Sequence, residues 1–216
     1  MEVNDSTHYE LYYYNSRGLA EPIRFLLSYG GASFDDIRTP VTCFSPITPL
    51  PEEWRASSLF GQVPILKFDN KQLTQSLAIT RYLARKYKLV GKDDFEAAKC
   101  DELADGIKEF FLLWTPFYFE EDEDEKKKLA ENTFLIAKQR YLTTFNSVVE
   151  ANDGVHLVGN AITWPDIYLA EYLDHIARIT GLDLVSEYSG LEALLKNVLS
   201  NPRIKDWLER RPNTPY

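Results

Sequence analysis

The sequence predicts an α/β domain followed by an all-α domain. Up to about residue 87, short runs of β-forming residues alternate with helical patterns, and clusters of turn residues separate them. After about residue 95, the periodic apolar segments have helical spacing. We therefore predict a first domain at residues 7–87, a linker at 88–94 and a helical domain at 95–216.

The first predicted elements are a strand at residues 11–14, a turn and a helix. Bulky residues that favour strands fill the first segment, and Asn15, Ser16 and Gly18 favour a turn. Pro22 falls where proline is tolerated, in the first turn of a helix. This order places a tyrosine hydroxyl beside a helix N-terminus, where backbone amides and the helix dipole favour an anion.

The remainder of the first domain continues the alternation. Residues 34–39 are predicted to form a second strand, and residues 40–51 a loop, because four prolines fall within that segment. Further strands are predicted at 63–66 and 71–73, and a helix follows to about residue 87. Strand–helix–strand followed by strand–strand–helix describes a thioredoxin-like domain.

Composition excludes several classes of partner. The net charge of −9 argues against nucleic acid, which requires a basic face. Cys43 and Cys100 form no CxxC pair and have no metal-ligand spacing, a pattern typical of a reduced, intracellular protein. No apolar run approaches membrane-spanning length, and the polar residues before Tyr9 do not form a signal peptide. We expect a cytoplasmic protein without a metal, a nucleic-acid partner or a membrane.

In the second domain, residues 95–119 repeat apolar residues at helical spacing, and a long helix is predicted to end near residue 150. The acidic and basic runs at 120–128 are interpreted as the solvated start of that helix. Thr163 and Asp166 form a capping-box variant, which we interpret as folding chemistry rather than catalysis. Short helices are predicted at about 190–199 and 202–210.

Four stretches resemble the cytosolic glutathione transferases in order and spacing, and the sigma class is the nearest match. They are LYYYNSRGLAEPIR from residue 11, FGQVPIL from residue 60, LTQSLAI from residue 73 and GNAITWPD from residue 159. Each stretch alone is a weak signal, whereas the four together are specific. The resemblance implies a homodimeric enzyme that conjugates glutathione to hydrophobic electrophiles and needs no other cofactor.

The resemblance assigns catalysis to Tyr13. Along a strand, Tyr12 and Tyr14 share one face and Tyr13 lies on the other, so we interpret the first two as packing residues. Lowering a thiol pKa of about 8.5 by about two units requires about 2.7 kcal/mol. One hydrogen bond to a charged group contributes about 1.5–3 kcal/mol, so one tyrosine hydroxyl beside a helix N-terminus is about sufficient.

The resemblance also implies which residues hold glutathione. Ser76 and Gln75, at a helix start, are expected to bind the γ-glutamyl group. Val63 precedes Pro64, which the resemblance implies is cis, and its main chain is expected to pair with the cysteinyl part of glutathione. Gln62 is expected to lie beside it.

The resemblance also bears on the glycine end of glutathione, on the subunit contact and on the electrophile pocket. Trp54 resembles a tryptophan over the glycine end of glutathione, while Ser58 stands where relatives carry a basic partner for the glycine carboxylate. Glu109 matches an acidic residue that reaches glutathione on the other subunit, and the alternative is a surface carboxylate. An apolar helical stripe is more often core than pocket, but the expected electrophile pocket comprises Leu19, Leu113, Trp114 and Phe117.

Two other functions remain open. The same thiolate would serve an isomerase or peroxidase, such as a prostaglandin synthase. Leu19 and Pro116 stand where sigma-class prostaglandin D synthases carry arginine and tryptophan, which argues against that role. A catalytically weak binding protein similar to the lens S-crystallins would keep the fold, although the long insertion common in those proteins is not evident here.

Overall fold

The computed structural model describes residues 5–41 and 49–214. The chain divides into two compact units, the first running to Lys88 and resuming at Asn201, and the second spanning Leu89–Ser200. The predicted helical domain extended to residue 216, whereas the described residues 201–214 pack with the first unit. Ile204 and Trp207, which are buried, explain this packing, because Trp207 lies 5.5 Å from Phe34 between ring centroids.

The first unit has the predicted thioredoxin-like order of elements. Its sheet has the strand order β2-β1-β3-β4, in which β1 is parallel to β2 and antiparallel to β3, and β3 is antiparallel to β4. The elements are β1 (His8–Tyr14), α1 (Glu21–Tyr29), β2 (Ser33–Thr39), α2 (Glu52–Ser57), β3 (Ile65–Phe68), β4 (Lys71–Thr74) and α3 (Ser76–Lys86).

Two local features of the first unit differ from the sequence expectation. Helix α2 was not predicted; it forms after Pro51 and buries Trp54. Strand β3 begins at Ile65, two residues later than expected. Most of the proline-rich loop, including Cys43, lies outside the described residues.

The second unit is helical throughout its regular elements, as the sequence predicts. They are α4 (Asp94–Leu112), α5 (Thr115–Phe119), α6 (Glu123–Ala137), a π-helical segment (Lys138–Leu142), α7 (Thr143–Asn152), α8 (Trp164–Thr180) and α9 (Ser189–Leu199). Helix α10 (Pro202–Arg210) belongs to the first unit. The π-helical segment interrupts the helix that was expected to run unbroken to about residue 150.

The acidic run is the start of a helix, as expected. Asp122 caps α6, where its carboxylate accepts hydrogen bonds from the backbone amides of Asp124 and Glu125 at 3.0 and 2.9 Å. Helix α8 forms the centre of the second unit and packs against α4 and α9. Within residues 5–41 and 49–214, none of the helices combines the length and apolarity needed to cross a bilayer.

Candidate active site

Tyr13 lies on the buried face of β1. Burial alternates along this strand, so that Tyr9, Leu11 and Tyr13 are buried while Tyr12 and Tyr14 are partly exposed. This alternation confirms the predicted distribution of the three adjacent tyrosines between two faces.

The Tyr13 hydroxyl is in close contact with the backbone of the following turn. The Leu19 N–H donates a hydrogen bond to Tyr13 Oη at 3.1 Å, from the 3₁₀ turn Gly18–Ala20 that leads into α1. Gly18 has φ +42°, and a Cβ at this position would lie 2.7 Å from Tyr13 Oη. Glycine therefore permits the close approach. A phenol oxygen that accepts such a bond is polarised and becomes a stronger O–H donor.

Tyr12 has different surroundings and is engaged in packing and hydrogen bonding. Its hydroxyl donates to Glu10 at 2.6 Å, and its ring packs edge-on against Trp54 at 5.1 Å between centroids. The hydrogen bond to the Glu10 carboxylate, with burial, raises the pKa of Tyr12 to about 12. The packing interpretation of Tyr12 agrees with these contacts.

Helix α3 begins with its first amides uncapped by side chains of the described residues. Gln75, its N-cap, has φ +71° and ψ 115°, a conformation that a non-glycine residue adopts at a cost. Ser76 is the first helical residue and is buried. Gln75 Nε2 donates to Gln62 Oε1 at 3.4 Å, so the structure brings these two predicted binding residues together. The helix start is suited to an anion.

The Val63–Pro64 peptide bond is cis, as the resemblance implied. Pairing of β3 with β1 and β4 begins at Ile65, so the main chain of Val63 lies beyond the ladder. The Ser58 hydroxyl accepts from the Gln62 N–H at 3.1 Å and donates to the Gln62 carbonyl at 2.6 Å. These two hydrogen bonds fix the loop before Val63. The sequence did not predict them, because no local pattern indicates that a serine hydroxyl will bind the backbone of the residue four positions later.

Trp54 and Glu109 have partners within their own units. Trp54 is buried in α2, where its ring contacts Tyr12. Glu109 is exposed on α4; its Oε2 accepts from the Tyr141 hydroxyl at 3.2 Å and lies 3.7 Å from Arg140 Nη2. The binding roles of Trp54 and Glu109 stay predictions.

The residues expected to form the electrophile pocket fall into two groups. Leu19 and Leu113 are half-buried. Trp114 is fully buried and Phe117 nearly so, and their rings pack edge-on at 6.4 Å between centroids. The latter two therefore contribute to the core of the second unit, which was the alternative weighed for an apolar helical stripe. The pocket itself stays a prediction.

Sequence reasoning also missed Glu21 and Arg24. Both side chains are fully buried and form an ion pair of 2.9 Å, and Arg24 donates to backbone carbonyls of the turn that contacts Tyr13. Their spacing of three residues on α1 is a visible pairing signal. It does not reveal burial, because long-range packing decides that. Among the described residues, no cluster of three or more His, Cys, Asp or Glu is placed to hold a metal ion.

Comparison with known proteins identifies the family. The chain matches the family model "Glutathione S-transferase, N-terminal domain" over residues 9–85 and "Glutathione S-transferase, C-terminal domain" over residues 108–211. It is 37% identical over 211 residues to "Glutathione S-transferase" of Anopheles gambiae, with 95% of this chain and 98% of that protein covered.

Solved structures with related sequences share the fold over nearly the whole chain. One is a monomeric glutathione S-transferase, Na-GST-3 of Necator americanus, with a TM-score of 0.84, 32% identity, and coverage of 97% of this chain and 100% of that one. Another is prostaglandin synthase D of Nilaparvata lugens, with a TM-score of 0.81, 34% identity, and coverage of 96% and 100%. The chain therefore belongs to the glutathione S-transferase family, with a thioredoxin-like N-terminal domain followed by an all-helical C-terminal domain.

Proposed function

We propose that this protein is a sigma-class-like glutathione transferase that joins the glutathione thiolate to hydrophobic electrophiles, in detoxification. The observation that carries the proposal is the 3.1 Å hydrogen bond from the Leu19 N–H to Tyr13 Oη. This bond strengthens the Tyr13 hydroxyl as a donor to a bound sulfur, and hydrogen bonding to the charged form lowers the pKa of a thiol.

The proposed binding mode uses backbone groups for most of the tripeptide. The γ-glutamyl carboxylate binds at the uncapped start of α3, through Ser76 and beside Gln75. The cysteinyl part pairs with the main chain of Val63, beyond the end of the strand ladder, with Pro64 fixing the bend and Gln62 beside it. Trp54 is assigned to the glycine end.

The reaction in this proposal needs no covalent enzyme intermediate. The thiolate attacks an electrophilic carbon and forms a carbon–sulfur bond with its own electron pair. In a substitution the leaving group departs with the electrons of the broken bond, and in an addition the new carbanion takes a proton. Leu19 and Leu113, which are half-buried, are assigned to contact the hydrophobic substrate, and Trp114 and Phe117 belong to the proposed pocket as buried side chains beneath its surface.

We also propose that the protein is a cytoplasmic homodimer, in which Glu109 reaches the γ-glutamyl amine held by the partner subunit. Leu59 and Phe60, adjacent and 79% and 61% exposed, supply apolar surface for a subunit contact. Light scattering across a dilution series tests this assembly. A monomer at all concentrations, the state described for Na-GST-3, would remove Glu109 from the site.

The similarity to a prostaglandin synthase structure favours a second candidate function, a glutathione-dependent isomerase or peroxidase. Leu19 and Pro116, which stand in place of an arginine and a tryptophan, argue against prostaglandin synthesis in particular. The two candidate functions share the glutathione thiolate, stabilised by Tyr13, and differ in the second substrate. Parallel assays with an aryl halide, a hydroperoxide and a prostaglandin endoperoxide separate them by relative kcat/KM.

Tyr13→Phe tests the proposed function. We expect kcat for an aryl halide to fall by about tenfold to a thousandfold, because one transition-state donor is lost. The dissociation constant of glutathione, measured by calorimetry at a pH below the bound-thiol pKa, should change by less than about threefold, since the thiol is then neutral and one uncharged contact is removed.

Tyr12→Phe is the matched control, and it should keep wild-type turnover because that hydroxyl is bonded to Glu10. Unchanged turnover in Tyr13→Phe would exclude Tyr13 from catalysis. Glutathione binding by the wild-type protein without turnover of any electrophile would indicate a binding relative similar to the S-crystallins.

A further inference from the structure

The turn between β1 and α1 is held by a buried arginine. Arg24 Nη1 donates to the carbonyl of Ser16 at 2.9 Å and to that of Arg17 at 3.3 Å. The same nitrogen lies 2.9 Å from Glu21 Oε2. Arg24 therefore contacts the two carbonyls that precede Gly18, and these residues lead directly into the amide that meets Tyr13.

This contact places Arg24 close to the proposed catalytic group. Arg24 Cζ lies 5.8 Å from the centroid of the Tyr13 ring. The Leu19 N–H, on the same turn, donates to Tyr13 Oη. A displacement of the turn would lengthen that hydrogen bond, and such bonds weaken steeply with poor geometry.

The Glu21 carboxylate is held in turn by the C-terminal segment of the first unit. Its Oε1 accepts from Trp207 Nε1 at 2.9 Å and from Arg211 Nη1 at 3.0 Å. Burial raises the pKa of Glu21, but the charges of Arg24 and Arg211 outweigh burial, so that the pKa lies below its ordinary value. The carboxylate thus stays ionised and continues to bind Arg24.

Strand β2 contributes further charged side chains to the hydrogen bonds and ion pairs around Arg24. Arg24 Nε donates to Asp36 Oδ1 at 3.0 Å, and Arg38 Nη2 lies 2.7 Å from Asp36 Oδ2. The charged groups around Arg24 therefore come from α1, from β2 and from the segment after α10. Well-packed apolar residues often stabilise a core as well as a buried ion pair does. Stability alone therefore does not explain these buried charges, whereas a role in fixing the turn between β1 and α1 does.

We propose that Glu21 and Arg24 are positioning residues that hold the Leu19 N–H against Tyr13. Through Trp207, this positioning depends on helix α10, although α10 is distant in sequence. The inference rests on the proposed role of Tyr13, and its test is designed so that the two can fail separately.

Trp207→Phe is the central variant, because it removes the indole N–H that binds Glu21 and keeps an aromatic ring against Phe34. The readouts are the pH midpoint of kcat/KM for an aryl halide at saturating glutathione, which reports ionisation of the enzyme–glutathione complex, and the ultraviolet titration of the bound thiol. We expect the bound-thiol pKa to rise by about half a unit, which should lower turnover about threefold at a pH well below that pKa, where the thiolate fraction changes about tenfold per unit. Binding of S-methylglutathione, which has no thiol to ionise, should change by less than about twofold.

Two further variants make the result specific. Arg24→Lys keeps one positive charge and loses the forked donors, and we expect it to raise the bound-thiol pKa by about one unit. Phe34→Leu disturbs packing around Trp207 without touching Glu21. It should lower the melting temperature and leave the thiol pKa at the wild-type value.

The outcomes distinguish the inference from the proposed function. A wild-type thiol pKa in Trp207→Phe overturns the inference, as does an equal shift in Trp207→Phe and Phe34→Leu. If Tyr13→Phe still loses turnover, the proposed function survives either result. If Tyr13→Phe keeps full turnover, both fail. Should Arg24→Lys not fold, Trp207→Phe with its Phe34→Leu control decides alone.

Discussion

Helices α3 and α8 begin in opposite ways. At the start of α8, Asp166 Oδ2 accepts from the backbone amide and the hydroxyl of Thr163, both at 2.7 Å, and Oδ1 accepts from the Leu157 N–H at 2.7 Å. At the start of α3, Gln75 has φ +71° and no side chain of the described residues caps the helix. A helix start filled by its own side chains serves folding, whereas an open one is suited to a ligand.

Helix α3 is held at its C-terminal end rather than at its N-terminus. The Asp5 carboxylate accepts from the hydroxyls of Tyr9 and Tyr87, each at 3.0 Å, and lies 3.0 Å from Lys86 Nζ. Lys86 and Tyr87 mark the C-terminal end of α3. The helix can therefore be fixed without hydrogen bonds that would occupy its N-terminus.

The largest expected effect comes from the closed helix start. Asp166→Ala should lower the free energy of unfolding by about 3 kcal/mol, because the cap is lost and the buried amides of Leu157 and Thr163 lose their acceptor. Urea denaturation measures this loss. Glutathione affinity per folded molecule should stay at the wild-type value, and a specific loss of affinity would contradict the folding interpretation of Asp166.

The anchor of α3 gives a smaller effect with a defined pH dependence. Burial raises the pKa of Asp5, but hydrogen bonds from Lys86, Thr7 and Tyr9 outweigh burial and lower it to about 2. A depressed carboxyl pKa stabilises the fold above the unfolded value, and this stabilisation is lost as the pH falls through the folded value.

Asp5→Asn should therefore cost about 2 kcal/mol at neutral pH, and the difference from wild type should shrink as the pH falls from about 4 to about 2. Unfolding free energies measured across that range test both parts of the expectation. Asp69→Asn, at an exposed turn, is the control and should change stability little. A cost of Asp5→Asn that does not vary between pH 2 and pH 7 would contradict the charged anchor.

The smallest effect is expected at Gln75, where two substitutions at the uncapped start of α3 should differ in stability and agree in glutathione binding. Gln75→Gly removes the strain that a side chain causes at this positive φ, and it should raise the free energy of unfolding by about 1 kcal/mol. Gln75→Ala keeps the strain and removes the same side chain. Both variants should raise the dissociation constant of glutathione about threefold in calorimetry, as expected for one lost hydrogen bond. Equal stability of the two variants would mean that Gln75 is not strained.

Local patterns predicted much of the fold and part of the candidate site. The face of β1 that carries Tyr13 follows from the two-residue period of a strand, and the cap of α8 from the spacing of Thr163 and Asp166. The π-helical segment Lys138–Leu142 was not predicted, because a single i→i+5 turn shifts the apolar pattern by only one residue, and amphipathic helices often show an irregularity of that size. Trp54 was placed by resemblance, and only the fold revealed its contact with Tyr12.

The sequence by itself determined the elements whose physics is local, and through its four motifs it also indicated the family. Tertiary structure alone decided which distant groups meet. Trp207 and Glu21 are 186 residues apart in the chain, yet they share a buried hydrogen bond. No periodicity or turn propensity encodes such a contact, because it arises when apolar surface on α10 is buried against the first unit. The surroundings of Arg24 and of the turn that follows β1 are therefore properties of the folded chain.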